Sequence, residues 1–326
     1  MTTVRQEHAG LTEQLTPESY QKWFKDKVHA LIANVTASVV VSESSVKHIM
    51  LGLVSQGHIL LEDTPGVGKT LMAKTIAASI QGRFARVQCT PDLLPSDITG
   101  TSIYNMQENH FEFKPGPVFT NILIADEINR TGPRTQSALL EAMAENQVSA
   151  DGEQYILPRP FMVIATQNRL ESHGVFPLPD SQLDRFLIRM SFGMPTAVQE
   201  VEILTRAEHG HLKTSPVLTT QEVVAMQDYV KQVNVALPMK QYIVNIVRAS
   251  RDHPSVTRGV SPRGTVLLQN AAQGWAAFAG RTYLIPEDVK SVAPLVLPHR
   301  IDLRRGVDET ASEIIREILS AVPVPL

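Results

Sequence analysis

Apolar positions along this chain follow two regimes. Up to about Met194, short apolar runs alternate with segments whose apolar residues recur at helical spacing; from Pro195 onward only the helical spacing persists. Strands are predicted at His58 to Leu61, Phe84 to Gln88, Ile122 to Ala125, Phe161 to Thr166 and Leu187 to Ser191. Helices are predicted from Pro17, with Tyr20, Phe24, Val28, Leu31 and Ile32 on one face and Thr16 as N-cap, from Ser44 to Gln56, from Lys69 onward, and from Arg134 to Glu145. Strands alternating with helices imply a mostly parallel sheet. Two stretches break the alternation. In Ser102 to Lys114 the apolar residues Tyr104, Met106, Phe111 and Phe113 flank Glu108-Asn109, and in Val148 to Ile156 extended residues flank Asp151-Gly152; both read as β-hairpins. Beyond Pro195 the segments Ala197 to Glu208, Thr220 to Gln232, Met239 to Ser250, Ser261 to Phe278, Pro286 to Ala293 and Glu309 to Val322 are helical, with no strand among them.

Composition narrows the class without choosing a function. The chain has 326 residues, enough for two domains, and a formal net charge of −3 with acidic and basic residues interspersed. Such a balance carries no electrostatic footprint for nucleic acid. Cys89 is the sole cysteine, so no intramolecular disulfide forms and a reducing compartment is expected; its plain reading is a small buried residue. The N-terminal MTTVRQEHAG lacks a basic segment followed by an apolar one, and no run reaches membrane-span length, which together predict a cytoplasmic protein without a membrane span.

Chemistry concentrates in three places. The first is HILLEDTPGVGKTLMAKT, from His58 to Thr75, a strand, a turn and a helix in succession. Backbone N–H groups around Gly66 and Gly68 can converge on an anion, and the helix starting at Lys69 adds its dipole at the same point. Thr64, Pro65, Gly66, Val67, Gly68 and Leu71 then line a phosphate site, Lys69 reaches the β- and γ-phosphates of ATP, and Thr70 offers a hydroxyl to Mg²⁺. Asp63 departs from the usual G-x-x-x-x-G-K-[ST] spacing by standing where the first glycine belongs. The second place is Asp126-Glu127, two carboxylates at the C-terminal end of a buried strand, where ligands bind in open α/β sheets. There Asp126 would hold the metal and Glu127 would take a proton from an attacking water. The third is a scatter of single residues. Asn168, at a strand end, is suited to orienting that water or contacting the γ-phosphate, and equally to a turn; Val40 and Val41 either pack or sit against an adenine ring. Arg263 falls in the first turn of a helix opened by Ser261-Pro262, a position unfavourable for a cation unless it meets a phosphate.

Taken together, these stretches resemble the AAA+ ATPases and, within them, the MoxR family, from about Asn34 onward. GHILLEDTPGVGKTLMAKTIA is similar to the family's Walker A segment, acidic residue included, and ILIADEINRTGPRTQSALLEAM to its Walker B segment. VIATQN is similar to sensor 1, PLPDSQLDRF to the arginine-finger segment and SPRG to sensor 2. One departure is Val41-Ser42, where many relatives carry Val-Val-Gly-Gln. The resemblance implies an α/β P-loop core with a parallel five-stranded sheet flanked by helices, and a smaller all-α C-terminal lid domain. The divisions expected are a helical extension over 1–33, the core with two hairpin insertions over 34–194, and the lid over 195–326. It also implies that Asn168 is sensor 1, that Arg185 is an arginine finger serving the next protomer, that Arg263 is sensor 2, and that the protein forms a ring, commonly a hexamer.

The function so implied is Mg²⁺-dependent ATP hydrolysis coupled to remodelling or assembly of a protein partner, often one with a von Willebrand A domain. A motor subunit of a metal chelatase or of a rubisco-activase-like complex shares the core motifs. A nucleic-acid motor is the alternative of a different class, and the missing basic stripe counts against it.

Overall fold

The computed structural model describes residues 17–63, 66–167, 175–209 and 214–325. Thr16, Thr64, Pro65 and Asn168 lie outside them. The chain opens with two helices, α1 (Pro17–Ser38) and α2 (Glu43–Val54), and then alternates through β1 (Ile59–Glu62), α3 (Lys69–Ser79), β2 (Phe84–Gln88) and α4 (Pro95–Thr99). A hairpin of β3 (Gly100–Asn105) and β4 (His110–Pro115) precedes β5 (Ile122–Asp126) and α5 (Pro133–Glu145). A second hairpin, β6 (Gln147–Ala150) and β7 (Glu153–Ile156), leads to β8 (Met162–Gln167), α6 (Asp180–Leu183) and β9 (Ile188–Met190).

Five of these strands form one parallel sheet in the order β2-β5-β8-β1-β9. Both faces are covered, which is why its strands read as continuous apolar runs. Ile59, Leu61, Ile122, Ile124, Met162 and Ile164 pack to one side with α1, α2 and α3, while Leu60, Leu123, Ala125, Val163 and Ala165 pack to the other with Leu139, Leu140 and Met143 of α5. Parallel pairing then aligns strand ends. Gln88 lies beside Asp126, and Glu62 beside Gln167, along one C-terminal edge. His58, fully buried beneath β1, pins three elements together. Its Nδ1 accepts from the Val163 amide at 3.0 Å, so Nε2 carries the proton donated to the Met143 carbonyl at 3.0 Å, and its own carbonyl accepts from the Leu187 amide at 2.9 Å.

Both hairpins form where the turn chemistry puts them. Asp151 and Gly152 have φ of 53° and 81°, the pair of positive values that a tight two-residue hairpin turn demands. The first hairpin runs one or two residues longer at each end than the alternation suggests. Phe113 of β4 stacks on Tyr155 of β7, centroids 3.9 Å apart and planes 17° off parallel, so the two insertions are joined through side chains.

The rest of the chain is a helical lid: α7 (Ala197–His209), α8 (Thr220–Gln232), α9 (Leu237–Asp252), α10 (Pro262–Phe278), α11 (Pro286–Val296) and α12 (Ala311–Ala321). It also carries a ribbon of β10 (Val256–Arg258) and β11 (Asp302–Leu303), strands too short to leave a periodic signal. The lid rests on α2, where a Cβ at Gly274 of α10 would come within 2.5 Å of the Ser55 hydroxyl; only glycine permits that approach. Helix α1 continues unbroken past residue 33 and spans both parts. Asn34 donates to the Ser79 hydroxyl of α3 at 2.8 Å, while Phe24 packs on Tyr229 and Phe278 of the lid and Lys27 pairs with Glu222 of α8 at 2.7 Å. Among the described residues no helix is long and apolar enough to cross a membrane.

Candidate nucleotide site

Strand β1 delivers the chain to a turn in which Gly66 and Gly68 have φ of 91° and 85°. Nothing lies within 4 Å of a Cβ built at either position, so backbone conformation, not crowding, requires glycine there. Gly68 caps α3, leaving the first-turn amides of the helix to face outward, as an anion site needs. Lys69 donates from Nζ to the Asp63 carbonyl at 3.0 Å. The Asp63 carboxylate is buried and accepts from the Ser191 hydroxyl at 2.5 Å and from the Phe192 and Gly193 amides at 2.8 and 3.2 Å.

Opposite this loop stand the two carboxylates. They and the loop line one cavity of about 340 Å³, with Gly66, Gly68, Lys69 and Thr70 on one side and Asp126, Glu127 and Thr166 on the other. Asp126 is bound by Arg86 Nε at 2.7 Å and by the Thr166 hydroxyl at 3.2 Å. Glu127 turns out of the strand with φ 57°, its amide donating to the same Thr166 oxygen at 2.9 Å. Its carboxylate accepts from Gln88 Nε2 at 2.8 Å and lies 3.4 Å from Arg130 Nε. Thr70 and Asp126 thus offer hard oxygen donors to one space, a donor set that fits Mg²⁺. A second cavity, of about 510 Å³ and more apolar, adjoins the first across Gly66, Gly68 and Leu71. Val40, Val41, Val67, Phe192 and Ile203 are among its walls, which brings the early valines to the phosphate loop.

Comparison with known proteins follows the same lines. The model of the ATPase family associated with various cellular activities (AAA) matches residues 58–188, and that of the AAA lid domain matches residues 248–318. The chain is 40% identical to Chaperone MoxR1 of Mycobacterium tuberculosis over 98% of its own length and 88% of that protein's. This chain belongs to the MoxR family of AAA+ ATPases. It is also 46% identical to YeaC of Bacillus subtilis, covering 93% of this chain and 98% of the other. The solved structure of a candidate ATPase from Cytophaga hutchinsonii superposes with a TM-score of 0.88 at 35% identity, covering 94% of this chain and 97% of that one. Both the α/β core and the helical lid are those of an AAA+ protein.

Neither Arg185 nor Arg263 lines the cavities at the phosphate loop of its own chain. Arg185 lines a separate hollow with Leu140, Glu141 and Gln182, and its Nη1 donates to the Leu140 carbonyl at 2.7 Å. Among the described residues Arg185 pairs with neither Asp184 nor Asp180: Asp184 lies 3.0 Å from Arg300, and Asp180 pairs with Arg258 at 3.0 Å. Arg263 is exposed in the first turn of α10 and lines neither nucleotide cavity. Its neighbours dock on the Arg185 segment: Ser261 donates to Asp184 at 2.8 Å, and a Cβ at Gly264 would meet the buried Arg300 side chain at 2.9 Å.

Sequence reading missed Arg86, Gln88, Arg130 and Thr166. Arg86 and Gln88 alternate on β2, and a polar pair at i and i+2 entering a sheet edge is the one signal that could have exposed them. Cys89 is buried, and its thiol is pushed up to about 12 by burial and by the nearby Asp126 and Glu127, which leaves it unreactive.

Proposed function

We propose that this protein binds ATP with Mg²⁺ and hydrolyses it in a head-to-tail ring, using the cycle to remodel or assemble a protein partner. The observation that carries the reading is the single cavity in which Lys69 and Thr70 face Asp126 and Glu127. The apolar cavity walled by Val40 and Val41 takes the base, and the polar one takes the phosphates. On binding, Lys69 exchanges the Asp63 carbonyl for a phosphate oxygen. Thr70 and Asp126 would hold Mg²⁺, which would supply charge neutralisation at the phosphates. Glu127 acts as the base once its carboxylate leaves Gln88 and Arg130 to meet a water, and Asn168 orients that water.

Arg185 and Arg263 both lie outside the cavities of their own phosphate loop, and the segments that carry them meet where Ser261 donates to Asp184. We assign them to a neighbouring protomer's phosphates, Arg185 as the finger. We assign a helical extension over 1–33, whose helix runs on into the core, the core over 34–194 and the lid over 195–326, and place the protein in the cytoplasm. A von Willebrand A domain protein is the leading partner class, and the hairpin bearing the exposed Tyr104 and Phe111 its contact.

Phosphate release from Mg²⁺-ATP, measured alone, with single-stranded DNA and with a von Willebrand A domain protein, tests the reading. Turnover independent of DNA and raised by the partner is expected. Turnover only on DNA would replace the reading with a nucleic-acid motor, and binding without turnover would reduce it to a nucleotide-gated scaffold.

A further inference from the structure

Asp63 stands where phosphate loops carry glycine; the residue lines the polar cavity, and its carboxylate is held by the segment that follows β9. Asp63 is 8% exposed, and its carboxylate accepts three hydrogen bonds from Ser191, Phe192 and Gly193. Ser191 directly follows the edge strand β9, and Phe192 and Gly193 become a wall of the apolar cavity before the chain enters α7. Gly193 has φ 72°, and with its amide and that of Phe192 turned to one point this segment forms the backbone concavity that binds anions. Here the anion is Asp63 itself. The same residue's carbonyl accepts Lys69 Nζ at 3.0 Å.

One residue therefore touches both halves of the site. Through its carbonyl it meets the lysine of the polar cavity, and through its carboxylate it holds a wall of the apolar one. Glycine could supply the first contact and not the second. We infer that Asp63 is a positioning residue that fixes the spacing between the phosphate loop and the base-binding wall, so that a whole nucleotide, and not its phosphates alone, is what the site recognises. The inference rests on the nucleotide reading proposed above.

The test is calorimetry on the full chain with Mg²⁺-ATP and with Mg²⁺-tripolyphosphate, which has no base. Asp63→Asn, Asp63→Gly and Ser191→Ala are compared with wild type, with thermal melts as the folding control. Asp63→Asn and Asp63→Gly should weaken ATP about tenfold or more while tripolyphosphate affinity stays within about twofold, since hydrogen bonds to a charged group are lost only on the wall side. Ser191→Ala removes one donor of three and should show the same pattern at about threefold, in a fold left otherwise intact. ATP bound as tightly by Asp63→Gly as by wild type overturns the inference, and so does equal weakening of both ligands, which would confine Asp63 to the phosphate loop. A wild-type chain that binds no ATP would instead overturn the nucleotide reading, and this inference with it.

Discussion

The cavity at Lys69 and the hollow at Arg185 are both lined mainly by polar side chains and differ in what answers them. In the cavity every charge has a counterpart within the chain: Asp126 has Arg86 and Thr166, Glu127 has Gln88 and Arg130, and Lys69 has the Asp63 carbonyl. In the hollow, of about 490 Å³, Arg185 has one carbonyl and a buried Nε with no hydrogen-bond partner among the described residues, while the neighbouring Asp184 is committed to Arg300 and Ser261. Leaving a buried donor unanswered costs on the order of 1–3 kcal/mol. A chain that keeps one site answered and the other open presents a receptor at one end and a ligand group at the other.

The largest effects should come from disarming each end in turn. Lys69→Ala should abolish ATP binding by calorimetry, while Glu127→Gln should bind ATP normally and lose roughly 10²–10⁴-fold in turnover, as removal of a general base does. Equal loss of affinity in both variants would contradict their separate roles. Arg185→Ala should match Glu127→Gln in its kinetics, and mixing the two inactive proteins should restore turnover, because random assortment in a head-to-tail ring leaves about a quarter of interfaces intact. Mixed rings seen by light scattering with no recovered turnover would remove the trans role and erase the contrast between the two ends.

A smaller effect should strike both ends together. His58 links β1, below the cavity, to α5 and to Leu187, two residues beyond Arg185. Burial lowers its pKa from 6.5 to about 4, so between those values the unfolded chain binds the proton and the folded one does not. Stability from this group is complete above about pH 6.5 and is lost as pH falls toward 4, by about 3 kcal/mol in all. Denaturant titrations across that range should show the decline, and His58→Gln, which keeps a donor and an acceptor without titrating, should flatten it. Parallel slopes for wild type and variant would assign the acid sensitivity to other groups.

The smallest effect separates the hairpins from both ends. Phe113→Ala removes the stack on Tyr155 and should cost about 1 kcal/mol in chemical denaturation beyond its lost area, leaving ATP affinity unchanged, since neither ring lines the nucleotide cavities. Tyr104→Ala, on the exposed part of the first hairpin, should change stability by about 0.5 kcal/mol or less and leave basal turnover alone. A collapse of basal turnover in Tyr104→Ala would make that hairpin part of the fold's support and not a contact for a partner.

What was legible in the sequence is what is local. Strand, turn and helix follow one another without a gap around Lys69, and Asp126-Glu127 ends its own strand, so both declare themselves in a dozen residues. Gln88 and Arg86 reach those carboxylates only because β2 pairs with β5 in a register that no local pattern encodes. The partners of Asp63 lie more than a hundred residues away and include two backbone amides, which no residue type reveals. Arg263 marks the limit of such local reading. Its place in a first helical turn does suggest an anion, but the helix carrying it is set by Ser261 on Asp184 and Gly264 on Arg300, away from the phosphate loop of its own chain.

The stacked rings of Phe113 and Tyr155 bear on how such chains can diverge. The two insertions are separate in sequence and share one ring contact, so a graft of residues 100–115 from a relative replaces half of that contact and leaves the other half unmatched. Chimeras that exchange 100–115 and 147–156 as a pair keep the stack, whereas single exchanges lose it. In an evolving lineage the hairpins are then inherited as one module, and a change at position 113 sets the terms on which position 155 can drift.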